Sequence, residues 1–176
     1  MNEYSQAYKM VLNELNTALS AVEENDLEKV VEMICGAEKV FFVGVGRVML
    51  MLKAIVKRLN HLGIEATFVG AVDEPAITEK DLLVVGSGSG ESVIPVKIAR
   101  IAEQYGPEIV HIGSNSNSSV GEVADFFLRI PCKTKLDLED EIPSRQPMSS
   151  LFEQSLLLLG DIIAFMIIKK EELDLD

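Results

Sequence analysis

The sequence is poor in the residues that hold metals or staple small folds. Its 176 residues include two cysteines, Cys35 and Cys132, and two histidines, His61 and His111. The cysteines lie far apart with no CxxC spacing, which reads as two reduced thiols rather than a disulfide or a metal site. The histidines show neither HExxH nor paired-ligand spacing, so no zinc site is expected. Positive charge is scarce too. Sixteen Lys and Arg against 28 Asp and Glu leave a net charge of −12. Long-range repulsion then argues against nucleic acid and anionic membrane surfaces as partners. A small anionic ligand is still compatible, provided that its site supplies local positive potential. The N-terminus, MNEYSQAYKM, is polar and acidic where a signal peptide would be basic and then apolar. No run is expected to span a membrane, since the apolar C-terminal stretch is interrupted by Gly160 and Asp161. A cytoplasmic protein is expected.

What is present is ordinary globular material, 48% apolar and 25% charged, with length enough for one domain and its own core. Residues 1–36 carry helical spacing (Val11, Leu12, Leu15, Leu19, Val22), with a break expected near Asn25-Asp26. Residues 37–130 alternate short apolar runs with helical patterns. The runs KVFFVG, 65–69, 81–85, 108–112 and 126–130 read as strands, and 48–61, 92–105 and 118–124 read as helices. Gly63 is expected to end the first of those helices as its C′ residue. Residues 131–149 form a long acidic, proline-containing loop, and 150–170 a last helix. Apolar strands separated by helices predict an α/β fold. The expected form is a single doubly wound domain, a five-stranded parallel sheet in flavodoxin-like order with helices on both faces.

The stretch VVGSGSGES, residues 84–92, follows one of these strands. It is not a nucleophile elbow, because Gly88 occupies the centre where GxSxG needs serine. It is not a GxGxxG dinucleotide fingerprint, since the sixth position is Glu91 or Val93, and GVGRVM fails that test as well. No GK[ST] of a P-loop is present. What remains is a strand-to-helix turn at the carboxyl edge of the sheet, where glycines admit an anion and a helix N-terminus favours it. Ser87, Ser89 and Ser92 add neutral hydroxyl donors. The alternative is a tight turn with Ser92 as N-cap. Gly46-Arg47, after the first strand, brings a guanidinium to the same edge, either as an anion ligand or in a surface ion pair.

The segments VFFVGVGR, KRLNHLG, GSGSGES and QPMSSLFEQSLLLLGD together resemble the sugar isomerase (SIS) domain, and within it the 6-phospho-3-hexuloisomerases. The resemblance runs from about residue 5 to 170. It implies a SIS fold and metal-independent interconversion of 3-hexulose 6-phosphate and fructose 6-phosphate through a cis-enediol, with no cofactor. It further implies a phosphorylated sugar as substrate and a homo-oligomer, typically a homotetramer, with sites between subunits. Carried over by position, it assigns Ser87, Gly88, Ser89 and Ser92 to the phosphate, with Gly46, Arg47 and Gln146 beside the substrate. Glu153 becomes the enolising base, and His61 a site residue reaching across a subunit interface. An isomerase of another sugar phosphate and a non-catalytic phosphosugar-binding protein are the alternatives. Residue by residue there are plainer readings. Ser150 to Glu153 is an S-x-x-E capping box, and His61 at a helix end complements the dipole. Val48 replaces the family's serine after Arg47, and Asp73-Glu74 are expected close to the anion site, paired with Lys80 or Arg145. Arg145 and Gln146 are expected to reach inward from the 131–149 loop.

Overall fold

Four apolar residues, Val40–Val43 (β1), are buried throughout. Val40 and Phe42 enter one hydrophobic cluster, and Phe41 and Val43 another, as the period-two alternation of a strand requires. In the computed structural model, which describes residues 2–173, four more strands lie parallel to β1 in one sheet. They are Ala66–Phe68 (β2), Leu82–Gly86 (β3), Glu108–Gly113 (β4) and Phe126–Arg129 (β5), in the order β2-β1-β3-β4-β5. This is the expected flavodoxin-like order. The helices are Glu3–Ser20 (α1), Glu24–Gly36 (α2), Gly46–His61 (α3), Val93–Ala102 (α4) and Ser150–Lys170 (α5). Helices α1, α2, α3 and α5 cover one face through the larger cluster, while the other face is covered mainly by α4. Gly63, with φ +81°, follows α3 at C′ as expected.

Three local expectations need correction. The first two helices part at residues 21–23, ahead of Asn25-Asp26, and Asp26 sits instead in the first turn of α2. A carboxylate is favourable there because it faces the positive end of the helix dipole. No helix forms at 118–124, which is a series of turns. Its groups are engaged elsewhere: the Val120 N–H donates to Gly90 O at 3.1 Å, and the Ser119 N–H to Glu91 at 2.8 Å. The side chains of Asn115 and Ser118 add local bonds that compete with a helix, accepting from the N–H groups of Asn117 and Gly121 at 3.1 Å each. Finally, Gly160 and Asp161 do not divide the apolar C-terminal stretch, and the helix expected at 150–170 runs through them as α5. A Cβ on Gly160 would stand 2.3 Å from Ile55 Cγ1, so the missing side chain is what lets α5 lie against α3. By length and composition α5 is long and apolar enough to cross a membrane. Leu151, Phe152, Leu156, Leu159, Ile163 and Ile167 bury it in the larger cluster as a core helix.

The strand order turns outward in both directions from the β1/β3 pair. The crevice beyond the carboxyl ends of those two strands is where open α/β sheets bind ligands.

Candidate active site

A cleft of about 880 Å³ occupies that crevice. Its walls come from the start of α3, the β3–α4 loop, residues 133–136 and the start of α5.

The β3–α4 loop is shaped by where its carbonyls go. Ser87 O accepts from His111 Nε2 at 2.8 Å, and Gly88 O from the N–H groups of Ser114 and Asn115 at 2.8 and 3.2 Å. Ser89 O accepts from Asn115 Nδ2 at 3.3 Å, and Gly90 O from Val120. With these four carbonyls turned into the protein, the N–H groups of Gly88, Ser89 and Ser92 have no acceptor among the described residues. Gly90 makes the turn with φ +70°, and a Cβ there would stand 2.1 Å from Ser118 Oγ. Ser87 Oγ and Ser89 Oγ accept from the N–H groups of Gly90 and Glu91 at 3.1 and 3.3 Å. Each therefore keeps its own O–H proton to donate. Ser92 holds the N-cap position of α4 but makes no side-chain cap bond, so the capping alternative leaves its hydroxyl free. The result is a neutral nest of N–H and O–H donors at a helix N-terminus, suited to a phosphate.

His111 is fully buried beneath this loop. A carbonyl only accepts, so its Nε2 carries the proton given to Ser87 O. Its Nδ1 has no hydrogen-bond partner among the described residues. Burial pushes its pKa down, against the opposing pull of the Ser87 carbonyl and the Glu91 charge.

Across the cleft stands Glu153, in the first turn of α5 and 8% exposed. One of its oxygens, Oε2, lies 2.6 Å from Arg47 Nη1, close but out of line with the N–H, and the same guanidinium donates to Ser150 Oγ at 3.1 Å. The S-x-x-E segment does not form a capping box. Ser150 N–H donates to Pro147 O at 3.2 Å, and no side-chain bond caps α5. Glu91 is occupied as well, since the Ser119 hydroxyl and N–H, at 2.7 and 2.8 Å, hold its carboxyl below its ordinary pKa. Val48 lines the cleft with an apolar surface.

Of the residues expected here, the cleft gathers Gly46, Arg47, Ser87, Gly88, Ser89, Ser92 and Glu153. Gln146 is turned to α1, where its Nε2 donates to Glu14 Oε2 at 3.1 Å, and the Arg145 N–H donates to Glu14 Oε1 at 2.9 Å. Neither reaches inward. His61 is exposed at the far end of α3, about 21 Å along the helix axis from Arg47. Asp73 and Glu74 lie off the cleft wall. Glu74 accepts from the Gly70 N–H at 2.7 Å, and Lys80 pairs with Glu38 at 3.0 Å. Sequence reasoning passed over His111, Thr134 and Lys135. The only available signal was a Lys-Thr-Lys run opening the long loop.

Both cysteines are free thiols, and burial pushes Cys132 up to about 12. No group of three or more His, Cys, Asp or Glu side chains arranged to hold a metal occurs among the described residues.

No family model matches the sequence. The chain is 34% identical over 164 residues to 3-hexulose-6-phosphate isomerase of Bacillus subtilis, covering 93% of this chain and 89% of that one. It is 33% identical to 3-hexulose-6-phosphate isomerase of Mycobacterium gastri, over 88% of this chain and 77% of that one. A hypothetical protein from Methanococcus jannaschii superimposes with a TM-score of 0.83 at 28% identity, over 96% of this chain and 93% of that one. Its crystal structure is described as inferring a molecular function of 3-hexulose-6-phosphate isomerase.

Proposed function

This chain belongs to the 3-hexulose-6-phosphate isomerase family of sugar isomerase (SIS) domain proteins, and we propose that it interconverts 3-hexulose 6-phosphate and fructose 6-phosphate in the cytoplasm. The observation that carries the reading is the pairing of Glu153 and Arg47 across one cleft from the hydroxyl loop. A site that only sensed a phosphosugar has no need of a buried carboxylate opposite its phosphate nest.

The hydroxyls of Ser87, Ser89 and Ser92, with the N–H groups of the loop, hold the phosphate and present the sugar carbons to Glu153. Its carboxylate takes the proton from C2 as the C3 carbonyl becomes an enediolate. The O2 hydroxyl proton passes to O3. The carboxyl then delivers its proton to C3 as C2 becomes the carbonyl, so one base over one face balances both steps. Arg47 orients the carboxylate and has further N–H groups for the enediolate oxygens.

His61 enters the site from a neighbouring copy in a homotetramer. Support comes from outward apolar side chains at helical spacing on α5, Leu158, Ile162 and Phe165, 37%, 38% and 57% exposed. Sedimentation as a monomer removes this part of the reading.

The activity is tested by following fructose 6-phosphate formation from 3-hexulose 6-phosphate in a coupled assay, beside a panel of other phosphosugars. Turnover of the 3-hexulose above the rest, lost by about 10²–10⁴-fold in Glu153→Gln, is expected. Turnover of another sugar phosphate alone moves the substrate, and no turnover of any removes the enzyme.

A further inference from the structure

Residues 131–149 leave β5 and return to α5 without regular helix or strand. A single carboxylate organises their first half. Glu141, 9% exposed, accepts from the Thr134 N–H at 2.9 Å, from Thr134 Oγ1 at 2.6 Å and from the Leu138 N–H at 3.1 Å. Thr134 is thereby set against the phosphate loop, its γ-methyl 3.5 Å from where a Cβ on Gly88 would stand. Lys133 and Lys135 flank it, and both line the cleft.

The charges of the cleft wall are then almost all accounted for. Arg47 is on Glu153, Glu91 is on Ser119, and Lys133 pairs with Asp137 at 2.8 Å. Lys135 is exposed and has no hydrogen bond or ion pair among the described residues. In a chain of net charge −12, an unpaired cation thus stands beside a nest made of neutral donors. An ammonium on a flexible four-carbon stem can close on a phosphate there without being part of the preformed nest.

We propose that Lys135 is the counter-cation of the substrate phosphate, carried to the nest by the Glu141–Thr134 clasp and selecting phosphorylated over uncharged sugars. This rests on the Ser87–Ser92 loop being the phosphate site. The test measures KM and kcat with fructose 6-phosphate, and the inhibition constant of inorganic phosphate, for wild type, Lys135→Met, Lys135→Arg and Ser89→Ala. Lys135→Met raises KM and the phosphate inhibition constant together by about tenfold, which is about 1.4 kcal/mol, with kcat within about twofold. Lys135→Arg retains most of the binding. Added salt weakens phosphate binding to wild type more than to Lys135→Met. The proposal is overturned if Lys135→Met leaves both constants within about twofold of wild type while Ser89→Ala raises them, or if kcat falls at constant KM. If Ser89→Ala also leaves both constants unchanged, the phosphate-loop reading itself fails and this proposal falls with it.

Discussion

His111 supports the β3–α4 loop from below by one hydrogen bond, Nε2–H to Ser87 O at 2.8 Å, and its titration has a readable consequence. Burial holds its folded-state pKa below the ordinary 6.5. Between that lowered value and 6.5, the unfolded chain binds a proton that the folded chain refuses. The neutral ring's contribution to stability is therefore complete above pH 6.5 and is lost progressively as pH falls below it. Urea denaturation at a series of pH values is expected to show unfolding free energy declining below that point, and His111→Gln lacking that part of the slope. An equal slope in the variant contradicts it. The serines above His111 were legible because glycine and hydroxyl residues after an apolar strand have few other uses. His111 was not. It occupies an inward position of β4 like any apolar residue, and nothing in the spacing marks what its ring nitrogen reaches.

At the scale of elements, α3 and α5 bring Arg47 and Glu153 together. Arg47 opens α3, Glu153 opens α5, and the two helices pack against one another along their length. Gly160 sits at their close approach, facing Ile55. In an exposed helix, Gly→Ala would stabilise by up to about 1 kcal/mol. Here Gly160→Ala is expected to destabilise by about 1–3 kcal/mol, because the new methyl must push apart two buried helices. Chemical denaturation gives the sign, and a stabilised variant contradicts the account. Helix α5 was legible as a helix, but the glycine and aspartate in its middle read as a break in its apolar run, when they mark a helix contact and an outward ion pair with Arg58. The 131–149 loop divided in two. Its bordering of the cleft was legible from its length and place. Which side chains faced inward was not, because Glu14 on α1 holds Ser144, Arg145 and Gln146 away from the cleft. That partner is 130 residues away in sequence from Ser144.

For the whole molecule, apolar strands alternating with helical patterns were enough to predict the parallel sheet, its five strands and their order. The reason is physical: strands buried on both faces need helices on both, and short crossovers leave few topologies. The same reasoning placed the cleft, since the order β2-β1-β3-β4-β5 has its crevice beyond β1 and β3. The turns at 118–124 were beyond it, because their hydrogen bonds go to a loop distant in sequence. The proposed chemistry depends on side chains from three distant parts of the chain meeting in that crevice, Arg47 from the start of α3, the serines of the β3–α4 loop, and Glu153 from the start of α5.

The central claim is that Glu153 moves a proton between C2 and C3 of a sugar whose phosphate the serine loop holds. It is tested most directly with fructose 6-phosphate carrying deuterium at C3, incubated with the protein and followed by NMR. The account predicts that the label leaves C3, to C2 of the 3-hexulose product or to water, while the C1 hydrogens stay in place, and that Glu153→Gln leaves C3 labelled. Retention of the label at C3 with the wild-type protein, or exchange at C1 instead, would contradict it.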